Sequence, residues 1–284
     1  MVECLLCKQN AVGSNPSTST NEGRKALAPF PFSHLPSGRF FFFAVISAPA
    51  WGQTLQKAIE PMRKLMTALL ALGAIIPFGV KGVDVDVSFK PGAWNSNDWI
   101  VVKGPRWDYK HGFVQKADCI ENECPDVPGD VVYKKFHSKV YSAMVHKERG
   151  AMGQTVSSTM GFDHRMAPLI VISEKLDRSP EGEPMFGEHW EIVLYDEGLN
   201  VWHHMIKDGK PFWYKAAYLK VPFKKDTPYN VEVKVSKTRK GVKEMVVKCG
   251  GYEMGYIDND LPDSFYAGII GCEGRNQFYD FKIK

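Results

Sequence analysis

Missing from this chain are the short signatures of several large enzyme classes. There is no HExxH, phosphate-binding loop, GxSxG or GxGxxG, so zincin, nucleotide triphosphatase, nucleophile-elbow and dinucleotide-binding readings find no support. No segment keeps an apolar stripe at the helical period, which excludes an all-helical domain. No internal repeat is present. Surplus charge is lacking too. Residues 1–82 hold eight of the 36 Lys and Arg but three of the 32 Asp and Glu, leaving 28 basic and 29 acidic residues over 83–284. A body so balanced carries no electrostatic footprint for nucleic acid. Cysteine is scarce, with six in 284 residues.

Apolar residues run together after Met62-Arg63-Lys64, from Leu65 to Val80. A basic start followed by an apolar stretch is the layout of a signal peptide, with a cut before Val83 after Val80-Lys81-Gly82. The stretch contains Pro77 and is shorter than the ~20 apolar residues of a spanning helix, so an uncleaved anchor is the weaker alternative. Residues 1–61 show no period of 2 or 3.6 and read as a non-native or disordered leader, with translation starting at Met62. A first signal ending at Ala48-Pro49-Ala50 is the other arrangement. The expected organisation is a leader at 1–61, a signal peptide at 62–82 and one domain at 83–284, secreted or periplasmic in a bacterial envelope. An oxidising destination favours a local Cys119–Cys124 disulfide, with Cys249–Cys272 less favoured and buried thiols as the alternative.

From Val83 onward strand patterns dominate. Val83-Asp84-Val85-Asp86-Val87-Ser88-Phe89 alternates strictly, and further strands are expected at 139–146, 167–173, 189–195, 200–206, 229–236, 243–249, 251–256, 265–272 and 277–283. Turn residues separate them, including Asp196-Glu197-Gly198, Asp208-Gly209 and Gly250-Gly251. Ten or more short strands in about 200 residues predict an antiparallel β-sandwich or jelly roll. The last strand is expected to pair near the first.

The run from His189 to Lys284 includes HWEIVLYDEGLNVWHH, DGKPFWYKAAYL, DNDLPDSFYAGIIGCEG and FYDFKIK. It resembles the concanavalin A-like lectin/glucanase jelly rolls of bacterial polysaccharide-utilisation systems. The resemblance covers most of 83–284 and implies an all-β fold shared by lectins, glycoside hydrolases and polysaccharide lyases, so it selects no single activity.

Alternation assigns faces within the strands. Trp190, Ile192 and Leu194 share one face and read as core, whereas His189, Glu191, Val193 and Tyr195 share the other. That second face reads as solvated or ligand-facing, with Trp202 or His204 of the next strand across from Glu191 or His189. A ring beside His and Glu suits a sugar, whose apolar face stacks while its hydroxyls need directed partners. The candidate catalytic residues are therefore Glu191, His189, Tyr195 and His204, and the candidate substrate-binding residues are Trp202, Asn200, His164 and Arg165.

Glycosidases of the resembled fold carry Glu-x-Asp-x-x-Glu, which is absent here; Glu191 and Glu197 stand six apart on one strand. Elimination needs a base such as His or Tyr plus a group that neutralises a uronate carboxylate. Those residue types are present, although the Arg-x-Glu-x-Arg and Gln-Ile-His motifs of alginate-lyase jelly rolls are missing. The expected function is an exported protein that binds and cleaves a polysaccharide or oligosaccharide, lyase ahead of hydrolase; a non-catalytic lectin is the alternative. It is expected to be a monomer with no nucleic-acid partner and no membrane span in the mature form. Replacing Glu191 or His204 by Ala is expected to abolish activity with thermal stability nearly unchanged. No metal or other cofactor is expected, beyond a structural calcium at Asp258-Asn259-Asp260 with Asp263, or at Asp280 with Asp84 or Asp86.

Overall fold

A computed structural model describes residues 82–104 and 112–284; the leader and signal-peptide readings, with Cys4 and Cys7, lie outside the described residues. Nineteen strands are present among the described residues. In chain order they are β1 (Val85–Ser88), β2 (Trp99–Val101), β3 (Phe113–Gln115), β4 (Ile120–Asn122), β5 (Tyr141–His146), β6 (Gly150–Ala151), β7 (Thr155–Phe162), β8 (Pro168–Ser173), β9 (Leu176–Arg178) and β10 (Pro184–Phe186). They continue as β11 (His189–Tyr195), β12 (Gly198–Lys207), β13 (Lys210–Lys220), β14 (Tyr229–Lys237), β15 (Lys243–Cys249), β16 (Tyr252–Ile257), β17 (Ser264–Cys272), β18 (Asn276–Phe278) and β19 (Asp280–Ile283).

Two large antiparallel sheets form the sandwich. The first runs β16-β15-β14-β7-β18-β4-β3 and takes in β1 through β19; the second runs β13-β12-β11-β8-β17-β5-β2, with β6 beside β17. The expected closure of the chain ends is present, with Val85 opposite Ile283 and Val87 opposite Phe281. Between the sheets lies one apolar cluster, in which Trp190, Ile192, Ile170, Ile172 and Ile269 meet Val231, Val233, Met245 and Val247. A second cluster covers the other face of the eight-stranded sheet: Leu169, Val171, Val193, Tyr195, Trp202 and Ile270 lie under Phe186, Tyr133 and Val102. Among the described residues no helix is long and apolar enough to cross a membrane.

The hairpins follow from turn chemistry. Asp208 and Gly209 have φ of 51° and 71°, and Gly250 and Gly251 have 57° and 85°, the pair of positive values that a two-residue turn matched to strand twist requires.

Several expectations change. The stretch 277–283 is two strands, β18 and β19. Strands β7 and β13 were not expected, and β7 proves to be a hub that pairs with β14, β18 and β19. Cys119 and Cys124 are free thiols, because β4 between them is extended. Its three residues alone span ~10 Å, beyond the ~7 Å that a disulfide bridges. Burial pushes both thiols up to about 11. Cys249 and Cys272 are also free: one lies between the sheets, the other in the cluster on the far face.

One core residue carries a pH signature. His146 packs edge-on to Trp99 at 5.3 Å, and its Nδ1 accepts the Glu148 backbone N–H at 3.1 Å. Burial pushes the imidazole below its ordinary value despite the nearby Asp98 and Glu148 carboxylates. The folded state thus binds fewer protons than the unfolded one, and the associated stability is full above the unfolded value of 6.5 and is lost as pH falls below it. His146→Asn is expected to flatten the fall of the unfolding free energy between about pH 7.5 and 5.5, as measured by urea unfolding at both pH values. An unchanged slope would remove His146 from that role.

Candidate functional site

Strand geometry puts His189 and Glu191 on one face of β11, two residues apart. The turn to β12 holds two residues, Asp196 and Glu197, so Tyr195 pairs with Gly198, and in the same register His189 faces His204 and Glu191 faces Trp202. Next to them, β12 meets β13 with a bulge at Val201/Trp202, after which Trp202 pairs with Lys215 and His204 with Trp213. Bulges of this kind re-aim side chains beside a site.

The three polar residues converge. His189 Nε2 lies 3.5 Å from Glu191 Oε1, and His204 Nε2 lies 3.1 Å from Glu191 Oε2. One ligand-capable atom from each falls within 4.8 Å of the others, and no further Asp or Glu joins that group among the described residues. The imidazoles stack side by side at 4.5 Å, with Phe186 against His189 at 4.8 Å and Trp213 beyond His204 at 6.2 Å. His189 Nδ1 sits 2.8 Å from the Gly187 carbonyl oxygen.

This is not the solvated face that the polarity of His189, Glu191 and Tyr195 predicts. His189 is 1% exposed, Glu191 4% and His204 3%, and Tyr195, Asn200 and Trp202 are buried as well. The reason is the lid over the sheet: the hairpin of β9 and β10 brings Phe186 down on His189, and the helical stretch at 129–136 brings in Tyr133. Burial pushes the Glu191 carboxyl up, yet the charge of His204 and hydrogen bonds from both imidazoles outweigh it and hold the group well below its ordinary range.

The other candidates divide by distance. Trp202 lies opposite Glu191, with the Lys215 ammonium 5.7 Å from its ring centre. Asn200 pairs with Val193, one step along the same face. Tyr195 is four residues beyond Glu191, ~13 Å along the strand. There it neighbours Arg165, which bonds Asp196 at 3.0 Å and Glu197 at 3.2 Å and stands over Tyr133 at 5.4 Å. His164 packs against Tyr133 at 5.7 Å. Tyr195, Arg165 and His164 therefore belong to the opposite end of the face. His203 points between the sheets, stacked on Trp190 at 4.4 Å, with Nε2 2.8 Å from Glu188 and Nδ1 3.0 Å from the Tyr214 hydroxyl. Sequence reasoning missed Gly187, Phe186 and Trp213, whose roles come from contacts that no local pattern announces.

The calcium candidates do not gather free carboxylates. Asp258 accepts from Trp190 Nε1 at 3.3 Å, the Tyr256 hydroxyl and the Asp260 backbone N–H at 2.9 Å. Asp263 pairs with Lys237 at 2.8 Å and Lys243 at 3.4 Å. Asp280 faces Ser88, not Asp84 or Asp86, and accepts from Thr159 N at 2.7 Å and Thr159 Oγ1 at 2.9 Å.

The two antiparallel sheets, packed over one apolar cluster, make this an all-β antiparallel sandwich. No protein-family model and no curated protein sequence matches the chain. Solved structures align across the sandwich. The carbohydrate-binding module CBM66 from Bacillus subtilis is 8% identical at a TM-score of 0.44, over 66% of this chain and 95% of that one. The kappa-carrageenase of Pseudoalteromonas carrageenovora, in complex with an oligotetrasaccharide of kappa-carrageenan, is 9% identical at 0.43, over 74% and 98%. An endo-β-1,4-glucuronan lyase from Trichoderma reesei is 8% identical at 0.43, over 70% and 94%. A fold alone selects no activity, so function rests on the site itself.

Proposed function

We propose that this is an exported sandwich protein, monomeric and without a nucleic-acid partner, that binds a polysaccharide or oligosaccharide and cleaves it by elimination. The reacting centre is His189, Glu191 and His204, with Trp202 and Asn200 beside it. The observation that carries this reading is the company of the Glu191 carboxylate: two imidazoles, and no second carboxylate within the same group. Hydrolysis needs two carboxyl groups roughly 5–10 Å apart. Elimination instead needs a proton acceptor and a group that stabilises charge on the sugar carboxylate, and imidazoles beside an ionised Glu suit those tasks. Tyr195, His164 and Arg165, at the other end of the face, would hold a neighbouring sugar unit.

One observation favours a second reading. The rings and polar groups that would touch a sugar are almost wholly covered, Trp202 included, which suits a lectin-like protein binding through another surface.

A single experiment separates these. Protein purified after expression of the full chain is incubated with uronate-containing and neutral polysaccharides, following the ultraviolet absorbance of unsaturated uronates together with new reducing ends. A rise in both is the expected result. Reducing ends alone would replace elimination with hydrolysis. Neither, with retardation of the protein on an affinity gel of the same glycans, would make it a lectin.

A further inference from the structure

We propose that His189 Nε2, His204 Nε2 and the Glu191 carboxylate bind one divalent transition-metal ion of the zinc class. The proposal deepens the reading of this centre as the reacting one, but it stands or falls on metal binding alone.

The donor set comes first. Two imidazole nitrogens and one carboxylate suit zinc and its neighbours, whereas calcium and magnesium take oxygen ligands. Register supplies the arrangement: residues two apart on a strand share a face, and His204 is the cross-strand partner of His189.

Distances come next. Two ligands at zinc-bond length from a tetrahedral ion stand ~3.3 Å apart. The nitrogen–oxygen separations here are 3.5 Å and 3.1 Å, each imidazole addressing a different oxygen of one carboxylate.

Proton accounting gives the third argument. A carbonyl oxygen only accepts, so His189 Nδ1, 2.8 Å from the Gly187 oxygen, carries a hydrogen. Its Nε2 is thereby aimed at Glu191 Oε1, 3.5 Å away, and a cation held by both would sit between them. An imidazole that donates Nδ1–H to a carbonyl and offers Nε2 outward is the outer-shell pattern of metal-bound histidine.

Charge then defines the remaining ligand. One carboxylate and two neutral imidazoles leave a divalent ion with one positive charge, and three protein ligands leave a coordination position open. That position suits an anionic oxygen, either hydroxide or a carboxylate such as a uronate presents. Gly187 contributes its carbonyl oxygen to the orientation of His189; a Cβ there would meet only the end of the partly exposed Asp177 side chain, which can swing aside.

Cobalt(II) is the probe, since its visible absorption reports an N,O-ligated site directly. Full-length protein is stripped with EDTA, dialysed and titrated. The expected result is one equivalent bound per chain with visible bands, displaced by zinc(II). His189→Asn and His204→Asn should each weaken binding ~100-fold. Folded wild-type protein that binds no cobalt overturns the proposal, and so does binding undiminished in both histidine variants. The two readings fail separately. Cobalt binding without glycan cleavage leaves the site and removes elimination; cleavage in EDTA-stripped protein that binds no cobalt does the reverse.

Discussion

Trp190→Ala is expected to lower the unfolding free energy by about 3–5 kcal/mol, the range for emptying a buried Trp position. The residue is among the largest fully buried side chains and sits where the two sheets face each other. Its ring stacks on His203 at 4.4 Å and its Nε1–H donates to Asp258 at 3.3 Å. The stack ties β11 to β12 beside it and the hydrogen bond ties it to the residue after β16 in the other sheet, and β11 carries His189 and Glu191 on either side of Trp190. The variant should therefore lose metal affinity as well as stability. Trp190→Phe keeps most of the apolar area and loses the hydrogen bond, for about 1 kcal/mol. Urea unfolding of both variants gives the comparison. A loss under ~1 kcal/mol for the alanine variant would mean that the sheets do not close on this ring.

That strand also shows what was legible beforehand. Trp190, Ile192 and Leu194 alternate with polar neighbours, so strand and inner face could be read directly, and the Asp-Gly and Gly-Gly turns marked their hairpins. Thr155–Phe162 escaped because Thr, Ser and Gly fill its positions, although Val156, Ser158, Met160 and Phe162 all turn inward. The pairing of His189 with His204 hung on turn length: a four-residue connection at Asp196–Leu199 would have shifted it, and the actual one has two. The largest gap was the covering of the polar face. Phe186, Tyr133 and Val102 close it from three separate stretches of chain, and no periodicity in 189–204 encodes a lid supplied from elsewhere. A short loop between two cysteines likewise looked bridgeable until β4 stretched it.

Burial reverses one expectation outright, because Glu191→Ala should be costly for the fold and not only for chemistry. In metal-free protein at pH 7 the variant is expected to lose about 3–5 kcal/mol, since removing one member of a buried charged pair strands its partner. Burial alone would raise the Glu191 carboxyl; His204 and His189 more than offset it and leave the group well below 4.5. A carboxyl held low when folded contributes stability that is full above its unfolded value and is lost as pH falls towards the folded one. The gap between wild type and variant should therefore narrow as pH drops below about 4.5. Urea unfolding at pH 7 and pH 4, on EDTA-treated samples, tests both statements. A gap under ~1 kcal/mol at pH 7, or one that widens in acid, would mean that the carboxylate is solvated and unpaired. Bound metal adds further stability to wild type as the logarithm of one plus the ratio of free metal to its dissociation constant, so the variant should lose more when zinc is present. Loss of glycan cleavage in Glu191→Ala then counts as chemistry only per folded molecule, with Glu191→Gln, which keeps the shape and removes the charge, as the companion.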